Sequence, residues 1–407
     1  MNVLLIHQAF VSPGEAGGTR HFEFARYCVE HNESFTVIAS EISYLSGKRF
    51  EGDSSGETPG GVHILRAKVY SGLHRSFLRR VLSFVTFMVS AFWLGLRAET
   101  PDLVMGTSPP MFQALSAWLL AVVRRRPFLL EIRDLWPEFA IDMGVLRNSL
   151  LISASRMAER FLYNRADHIL VNSPAYREYL LEKGISATRI TLIPNGVDVS
   201  VFENRSPTMD IRSEYGLESK FLVTYAGALG IANDIQLILR AALALKQYDD
   251  VHFLLVGDGM ERANLDRFCQ EKGLTNVTFA GARPKSTIPG ILASSDACVA
   301  SLQNIPMFRM TYPNKVFDYM AAAKPTILAI DGVIRDVIEQ AGGGIYVPPG
   351  DDDALSSAVI RLRKNPNEGQ QMGQRAFEYV KTHFNRSDHA LAFLELARRL
   401  VIQKLAA

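Results

Sequence analysis

Residues 221–230 read FLVTYAGALG, an apolar run that ends in a loop with two glycines. The chain begins in a similar way, because residues 2–7 read NVLLIH and run into a long glycine-containing loop. In both halves short apolar runs alternate with longer helical stretches, which is typical of parallel strands buried on both faces. The restart of the pattern at residue 221 therefore predicts an α/β protein with two Rossmann-like domains that enclose a cleft.

Each half has its own set of predicted strands. In the first half they cover residues 2–7, 36–40, 62–67, 102–106, 128–132, 168–172 and 190–194. In the second half they cover residues 221–226, 252–256, 277–280, 297–301, 326–330 and 345–347. Ligands of open parallel sheets bind beyond the carboxyl ends of the strands, so we expect binding residues in the loops that follow these runs.

The domain boundary is predicted where this alternation stops. Residues 194–198 read PNGVD, and the stretch 204–213 that follows is polar. Because Pro, Asn and Gly cluster at such breaks, we assign residues 1–198 to the first domain and residues 199–385 to the second. Residues 386–407 are predicted to form a C-terminal helix that packs back on the first domain.

Composition and charge indicate the broad class of protein. With 407 residues, 48% of them apolar, the chain can build two domains with substantial cores. Its formal net charge of +2 does not indicate a nucleic-acid-binding protein. Cys28, Cys269 and Cys298 match no metal-binding spacing, so we expect reduced thiols and no metal. The first predicted strand begins at Asn2, which leaves no room for a signal peptide and favours a cytoplasmic protein.

A glycine-containing loop follows the first strand of each predicted domain. Gly17 and Gly18 precede a helix, where free backbone N–H groups and the helix dipole favour an anion. Gly227 and Gly230 would let a ligand approach the backbone closely. The alternative for the Gly17–Gly18 loop is a plain connection. Its adjacent glycines and its length differ from the GxGxxG fingerprint, which argues against a nicotinamide cofactor.

A lysine and an aspartate open the predicted helix within PNKVFDYMAAAKPT, residues 313–326. Pro313 suits a helix start, and Lys315 falls in the first turn, where the dipole disfavours a cation unless an anionic ligand lies beside it. Asp318 follows three residues later on the same face. We interpret Lys315 as a phosphate ligand and Asp318 as an acceptor of hydrogen bonds from ribose hydroxyls. The alternative is a Lys–Asp pair on the surface.

These motifs resemble those of retaining family 4 glycosyltransferases with the GT-B fold. Residues 318–325, DYMAAAKP, are similar to the EAMAxGxP helix of that family. Other similar motifs follow in the expected order over almost the whole chain: the long loop with Gly17 and Gly18, IPNGVD at 193–198, VGDG at 256–259 and VTFAG at 277–281. GGTR at 17–20 and DLWPE at 134–138 are similar to the bacterial subset that assembles O-antigen and capsule sugars, including L-N-acetylfucosamine transferase-like proteins.

The resemblance implies a metal-independent transfer of a sugar from a nucleoside diphosphate to an acceptor hydroxyl, with retention of the anomeric configuration. The implied donor is a UDP-linked N-acetylated hexosamine or deoxyhexosamine, with GDP as the alternative nucleotide. The implied acceptor is a polyprenyl-diphosphate-linked saccharide in surface polysaccharide synthesis. The first domain would bind the acceptor and the second the donor.

The resemblance also assigns roles to single residues. Asp318 would hold the donor ribose, Lys315 would neutralise the leaving diphosphate, and Asp134 would lie beside the acceptor and the anomeric centre. The catalytic residues are thus predicted to be Asp134 and Lys315, and the acceptor-binding residues Arg20, Asp134 and Glu138. The predicted donor-binding residues are Gly17, Gly18, Gly230, Arg283, Lys285, Arg309, Asn314, Lys315 and Asp318.

Several positions depart from the family pattern. Met310 stands where a Glu is usual, and IAND at 231–234 stands where an Arg and a Lys are usual, so that Lys315 or Arg309 would have to provide the positive charge. Ala323 replaces a common Gly. Two other functions therefore stay open, a UDP-sugar 2-epimerase of the same fold and a non-catalytic subunit that binds a sugar nucleotide.

Simpler roles exist for three residues near the first-domain motifs. Asp134 follows a predicted strand and could cap the next helix instead of assisting an acceptor hydroxyl. His7, at the end of the first strand, is interpreted as a structural histidine. Trp136 is interpreted as packing, with an aromatic wall for an acceptor sugar as the alternative.

A long uncharged segment lies between Arg80 and Arg97. It is shorter than the roughly 20 apolar residues that span a bilayer, so it is either a core-packed helix or a helix in partial membrane contact. No acid occurs between Glu57 and Glu99, which favours an anionic membrane surface as a partner. The predicted contacts are Arg75, Phe77, Arg79 and Arg80, at the inner face of the plasma membrane.

Overall fold

The computed structural model describes residues 1–11, 18–43, 47, 49, 56–58, 60–71, 77–203 and 211–406. The described residues form two compact units. The first contains the chain up to Pro194 together with the segment from Ser387 onward, and the second runs from Asn195 to Arg386.

The chain divides slightly before the predicted boundary at residue 198, because the linker is hydrogen-bonded within the second unit. Asn195 Nδ2 donates to Tyr312 O at 2.8 Å. Val197 N donates to Phe384 O at 3.0 Å, and Val197 O accepts from Arg386 N at 2.9 Å. These contacts explain why IPNGVD is shared between the end of one unit and the start of the next.

The first unit holds an eight-stranded sheet in the order β3-β4-β2-β1-β5-β6-β7-β8. All neighbouring strands pair in parallel except β3 and β4. β3 is not predicted from the sequence, because two residues are too few to carry an apolar pattern. The strands are β1 (Asn2–Ile6), β2 (Ser34–Ser40), β3 (Gly56–Glu57), β4 (His63–Ala67), β5 (Leu103–Ser108), β6 (Phe128–Ile132), β7 (His168–Val171) and β8 (Ile190–Leu192).

The second unit holds a six-stranded, fully parallel sheet in the order β11-β10-β9-β12-β13-β14. Its strands are β9 (Phe221–Ala226), β10 (Val251–Val256), β11 (Val277–Gly281), β12 (Ala297–Ser301), β13 (Thr326–Ala329) and β14 (Gly344–Tyr346). The prediction of two parallel α/β domains is thereby confirmed.

Helices connect the strands, as parallel pairing requires. The helices up to residue 182 are α1 (Arg20–Glu30), α2 (Phe77–Arg97), α3 (Met111–Arg124), α4 (Glu138–Asp142), α5 (Ser149–Arg165) and α6 (Pro174–Glu182). Those of the second unit are α7 (Ser200–Glu203), α8 (Ile211–Tyr215), α9 (Ile235–Ala244), α10 (Arg262–Lys272), α11 (Ile288–Ala293), α12 (Asn314–Ala321), α13 (Val333–Ala341), α14 (Asp352–Lys364) and α15 (Pro366–His383). The last helix is α16 (Arg386–Ala406).

The C-terminal helix α16 packs in the first unit. Phe393, Leu394 and Ala397 belong to the same buried cluster as Val3 and Leu5 of β1. The ring of Phe393 stacks on that of Phe24 in α1, with centroids 5.0 Å apart. Arg398 forms an ion pair with Glu33 at the edge of this contact. The C-terminal helix α16 thus completes the hydrophobic core that β1 and α1 begin.

Helix α2 buries a face that includes a serine and leaves large apolar side chains exposed. Ser83, Phe87 and Ala91, four residues apart, are all at most 1% exposed. The opposite stripe is apolar and open: Leu82 is 45% exposed, Val89 49% and Trp93 56%. By length and composition the segment Arg79–Arg97 could cross a membrane, and 22% of it is buried within the protein. The helix therefore presents an apolar outer stripe while its serine points inward.

We expect Phe393→Ala to destabilise the protein by about 3–5 kcal/mol, because it leaves a cavity against Phe24. The matched control is Leu391→Ala on the same helix, where the side chain is 43% exposed and the loss should be small. Chemical denaturation followed by circular dichroism measures both. Equal losses in the two variants would show that α16 does not contribute to the core.

Candidate functional site

Helix α12 begins where the sequence predicts, at the end of an extended segment. Pro313 is the residue before the helix, with φ −67° and ψ 123°, and Asn314 is the first helical residue. Val316, Phe317 and Met320 are buried beneath the helix. This anchoring leaves Lys315 and Asp318 at the border of the buried face, where both side chains are partly buried.

The Lys315 ammonium is enclosed by neutral groups. Its Nζ donates to Tyr225 Oη at 2.7 Å and to Asn233 Oδ1 at 2.6 Å. It also lies 4.3 Å from the centroid of the Tyr225 ring. Burial lowers the pKa of Lys315 to about 7. Among the described residues no carboxylate forms an ion pair with Lys315, so a positive charge here lacks a counter-ion within the protein.

The Lys315–Asp318 surface pair that the spacing allows is not formed. Asp318 instead accepts from Lys285 Nζ at 2.5 Å. Lys285 comes from the 3-10 turn before α11, so the contact joins α12 to a different loop. A ligand hydroxyl that binds Asp318 would have to share this carboxylate with Lys285 or replace Lys285.

Two loops at the carboxyl ends of β9 and β10 touch backbone to backbone. Gly227 N donates to Val256 O at 2.9 Å, and Leu229 N donates to Asp258 O at 2.9 Å. A Cβ at Gly257, where φ is +141°, would lie 1.8 Å from Gly227 O. The VGDG turn is therefore needed for this close approach.

Gly227 lines the space beside Lys315, and Gly230 follows in the same loop. A Cβ at Gly227 would lie 3.2 Å from Lys315 Nζ, so the glycine leaves room around the ammonium. A Cβ at Gly230 would meet only Asn233 Nδ2, at 3.9 Å. Packing within the protein thus does not require a glycine at residue 230, in contrast to Gly257.

The other predicted donor-binding residues lie apart from this cluster or on the surface. The Arg283 guanidinium binds Glu214, and its Nη2 donates to Tyr215 Oη at 2.8 Å. Arg309 is exposed and lies 3.8 Å from the Asp331 carboxylate. Asn314 is exposed at the start of α12. Gly18 is exposed before α1, and Gly17 lies outside the described residues.

Asp134 of the first unit follows β6 and is partly buried. Burial raises the pKa of Asp134 to about 6, although Arg133 and a hydrogen bond from the Tyr176 hydroxyl act in the opposite direction. The residue that caps α4 is Pro137, without a side-chain hydrogen bond, so Asp134 does not cap that helix. Tyr176 of α6 was not singled out from the sequence, since a tyrosine in an amphipathic helix carries no distinguishing signal.

Arg20, predicted to bind the acceptor, is instead bonded within the protein. It is 4% exposed. Its Nε donates to Glu131 Oε1 at 2.9 Å, and Nη1 and Nη2 each donate to a backbone carbonyl, of Pro194 and Ile193, at 2.7 Å. A guanidinium whose three nitrogens are all engaged serves the framework, so the geometry assigns Arg20 a structural role.

Glu131 connects Arg20 to a buried pair of histidines. It lies within β6 and binds His21, whose ring lies 4.5 Å from that of His7. Burial would raise the pKa of Glu131, but His21 and Arg20 outweigh it and hold the pKa well below its usual value. The sequence signal was available, because FLLEI places one carboxylate in a buried strand.

His7 is a neutral, hydrogen-bonded core residue. Burial lowers its pKa well below the usual value, and the charges of His21 and Arg133 act in the same direction. Arg133 Nη1 lies 3.1 Å from Nε2 of His7, and Thr107 Oγ1 lies 2.9 Å from Nδ1 of His7. Because arginine can only donate, Nε2 accepts and Nδ1 carries the proton.

Glu138, the remaining acceptor-binding candidate, pairs with an arginine of α5. Both its oxygens accept from Arg156, each at 2.9 Å.

Among the described residues no group of three or more His, Cys, Asp and Glu side chains is arranged to hold a metal ion.

Each unit matches one known family. Residues 17–196 match the glycosyl transferase 4-like domain, and residues 220–365 match the glycosyl transferases group 1 family. WcaI from Escherichia coli strain K12, provisionally named a colanic acid biosynthesis glycosyl transferase, is 24% identical over 333 residues, which cover 78% of this chain and 81% of WcaI.

Solved structures share the fold. Sucrose-phosphate synthase from Thermosynechococcus elongatus matches with a TM-score of 0.79 at 20% identity and covers 99% of both chains. HepE from Anabaena, solved in complex with UDP and glucose, matches with a TM-score of 0.75 at 16% identity, over 97% of this chain and 98% of HepE. The chain is therefore a glycosyltransferase of the GT-B fold, built from a glycosyl transferase 4-like domain and a glycosyl transferases group 1 domain.

Proposed function

We propose that this chain transfers a sugar from a nucleoside diphosphate to a lipid-linked saccharide, with retention of configuration and without a metal ion. The observation that carries the proposal is Lys315, a partly buried cation whose ammonium has no carboxylate partner among the described residues. A group of this kind favours a multiply charged anion, because the anion provides the missing counter-charge. UDP is the favoured nucleotide, and the complex of HepE with UDP and glucose supports that choice.

The donor would lie along the carboxyl edge of the second sheet. Lys315 would contact the diphosphate, the backbone around Gly230 would approach it closely, and Asp318 would accept from the ribose hydroxyls. A bound diphosphate would favour the charged form of Lys315 and so raise its pKa above the value of about 7 in the free protein. Charge that develops on the leaving diphosphate would then be stabilised as the glycosidic bond breaks.

The acceptor would bind in the first unit, near Asp134. A carboxylate with a pKa of about 6 is a suitable group to orient or deprotonate a sugar hydroxyl near neutral pH. The Tyr176 hydroxyl would hold the Asp134 side chain in place. Arg20 would act only indirectly, by fixing Glu131 within the neighbouring strand.

The acceptor is proposed to be polyprenyl-diphosphate-linked and to serve surface polysaccharide synthesis, for which the name of WcaI gives support. Such an acceptor stays in the bilayer, so the first unit would have to reach the inner face of the plasma membrane. The outer stripe of α2, formed by Leu82, Val89 and Trp93, provides apolar area for insertion. Arg79 and Arg80 are exposed at the start of the helix, while Arg75 and the Phe77 side chain lie outside the described residues.

Two measurements separate this proposal from its alternatives. A thermal-shift panel of nucleoside diphosphates should rank UDP first. The differences are measurable, because a ligand at 100 times its dissociation constant stabilises the folded protein by about 2.7 kcal/mol. Product analysis with a lipid-linked acceptor should show a new glycoside. A changed sugar nucleotide without acceptor consumption would indicate a 2-epimerase, and binding without turnover would indicate a non-catalytic subunit.

The donor site predicts two distinct losses. Lys315→Ala should lower the rate of transfer by about 100-fold, because the leaving diphosphate loses its cation. Asp318→Asn should weaken UDP binding by about tenfold while the melting temperature is retained. Titration calorimetry and single-turnover kinetics measure these effects, with the exposed Lys364→Ala in the same unit as control. Unchanged UDP affinity in Asp318→Asn would contradict the ribose role.

The acceptor site predicts opposite effects on activity and stability. Asp134→Asn should lower transfer by about 100-fold or more and leave UDP affinity unchanged. The pKa of Asp134 is raised from 3.8 to about 6 in the folded chain, so ionisation destabilises the fold as the pH rises through that window. Asp134→Asn should therefore stabilise the protein by up to about 3 kcal/mol at pH 8 and far less at pH 4. Transfer at a near-normal rate would remove Asp134 from the mechanism.

Membrane contact predicts that the purified protein sediments with anionic liposomes and is partly released by high salt, because only the attraction to anionic lipid is screened. Changing Arg75, Arg79 and Arg80 to Glu should reduce lipid binding and transfer to the lipid-linked acceptor. Trp93→Ser should reduce both as well, whereas Ile402→Ser, at a residue 65% exposed on α16, should not. Transfer to a short water-soluble acceptor should survive. Equal loss on both acceptors would show that the α2 surface has a structural role only.

A further inference from the structure

The Lys315 ammonium is oriented by two neutral side chains from different elements. Tyr225, in β9, is fully buried and accepts from Lys315 through its hydroxyl. The same hydroxyl donates to Ala228 O at 2.8 Å, within the glycine loop. Tyr225 therefore ties Lys315 to the loop that would approach the diphosphate.

Asn233, later in the same loop between β9 and α9, also holds the ammonium. Lysine has only donors, so the amide oxygen must face Nζ, as observed at 2.6 Å. The segment around Asn233 is anchored to β12 and its following loop, because Ser301 Oγ donates to Asn233 O at 2.6 Å and Gln303 N donates to Ala232 O at 2.9 Å. These hydrogen bonds hold the backbone that carries the Asn233 side chain.

One turn after Lys315, helix α12 also bonds the end of strand β9. The Tyr319 hydroxyl accepts from Ala226 N at 2.9 Å and lies 3.2 Å from Ala226 O. Lys315 and Tyr319 lie four residues apart on one helix face. They therefore contact two consecutive residues of β9, Lys315 binding Tyr225 and Tyr319 binding Ala226. The position of Nζ is set by the fold before any ligand arrives.

We propose that Tyr225 and Asn233 are positioning residues that hold the Lys315 ammonium toward the donor diphosphate, in place of a cation in the loop after Gly230. That loop reads IAND and contains no Lys or Arg. Asn233 stands in it and orients a cation that is supplied by α12. Neutral partners are essential, because a carboxylate at either position would satisfy the ammonium and repel the diphosphate. The proposal rests on the proposed function of Lys315.

The experiment compares UDP with uridine, which lacks the phosphates, in calorimetric titrations. Tyr225→Phe and Asn233→Ala should each weaken UDP binding by about tenfold and leave uridine binding unchanged. Asn233→Asp should weaken UDP binding more, on the order of 100-fold, because its carboxylate pairs with the ammonium. Tyr379→Phe is the matched control, since its hydroxyl bonds only Gln340 on the surface of the same unit, at 2.9 Å.

The pH dependence between about pH 7 and 9, above the second ionisation of a phosphate, separates positioning from a structural defect. UDP binding should weaken as Lys315 loses its proton. Tyr225→Phe should move this loss to lower pH and Asn233→Asp to higher pH, because the first removes an acceptor and the second adds a negative charge. Lys315→Met should abolish the dependence, which assigns it to Lys315. The other ionisable groups on the surrounding described elements include Tyr225, Asp234, Asp258, Lys285, Asp318 and Tyr319.

Two failures are distinguishable. If Lys315→Met binds UDP as tightly as the wild type does, the proposed donor site itself is wrong. If Lys315→Met loses UDP affinity while Tyr225→Phe and both Asn233 variants keep it, only the positioning role is overturned. Asn233 is half-buried, so its variants test the proposal even where Tyr225→Phe lowers the melting temperature.

Discussion

Parallel strand pairing is the constraint on which both units depend. Apart from β3 and β4, every described strand pair is parallel, and each crossover between parallel neighbours needs a long connection, which in most cases here contains a helix. The carboxyl ends of the strands then meet at one edge of each sheet. This is why His7 contacts Thr107, one hundred positions later in the chain, and why Lys315 reaches Tyr225. The loops carry the polar groups because the strands themselves are buried on both faces.

The two edges treat buried charge differently. In the first unit Glu131 is balanced by Arg20 and lies against His21, so the group is neutralised internally and stabilises the framework. Among the described residues of the second unit, the polar and aromatic contacts of the Lys315 ammonium are a hydroxyl, an amide oxygen and an aromatic ring. Burying a charge without a counter-charge is unfavourable, and a protein retains it where a ligand provides that charge. The same physical principle thus explains a structural cluster in one unit and a proposed binding cluster in the other.

Helix α2 shows that the polar and buried faces of a helix need not be opposite. Ser83 is buried beside Phe87, whereas Trp93 and Val89 are about half exposed. Close packing against α3, where a Cβ at Gly95 would lie 2.5 Å from Leu120 Cδ2, favours small residues on the inner face. Leu82, Val89 and Trp93 are left outside, where water alone does not favour them. This stripe is the surface that the proposed membrane contact would use.

The sequence by itself determined the two parallel domains, the order of their strands along the chain, and the helix that carries Lys315 and Asp318, because apolar periodicity and helix-start residues are local signals. It could not determine that Arg20 is buried on Glu131, that Asp318 pairs with Lys285, or that Tyr225 and Asn233 enclose Lys315. Tyr176, His21 and Tyr225 look like ordinary core residues in the sequence. Their roles depend on which strand ends become neighbours, and the sheet order decides that only when the chain is folded, since hydrogen bonds form across space and not along the sequence.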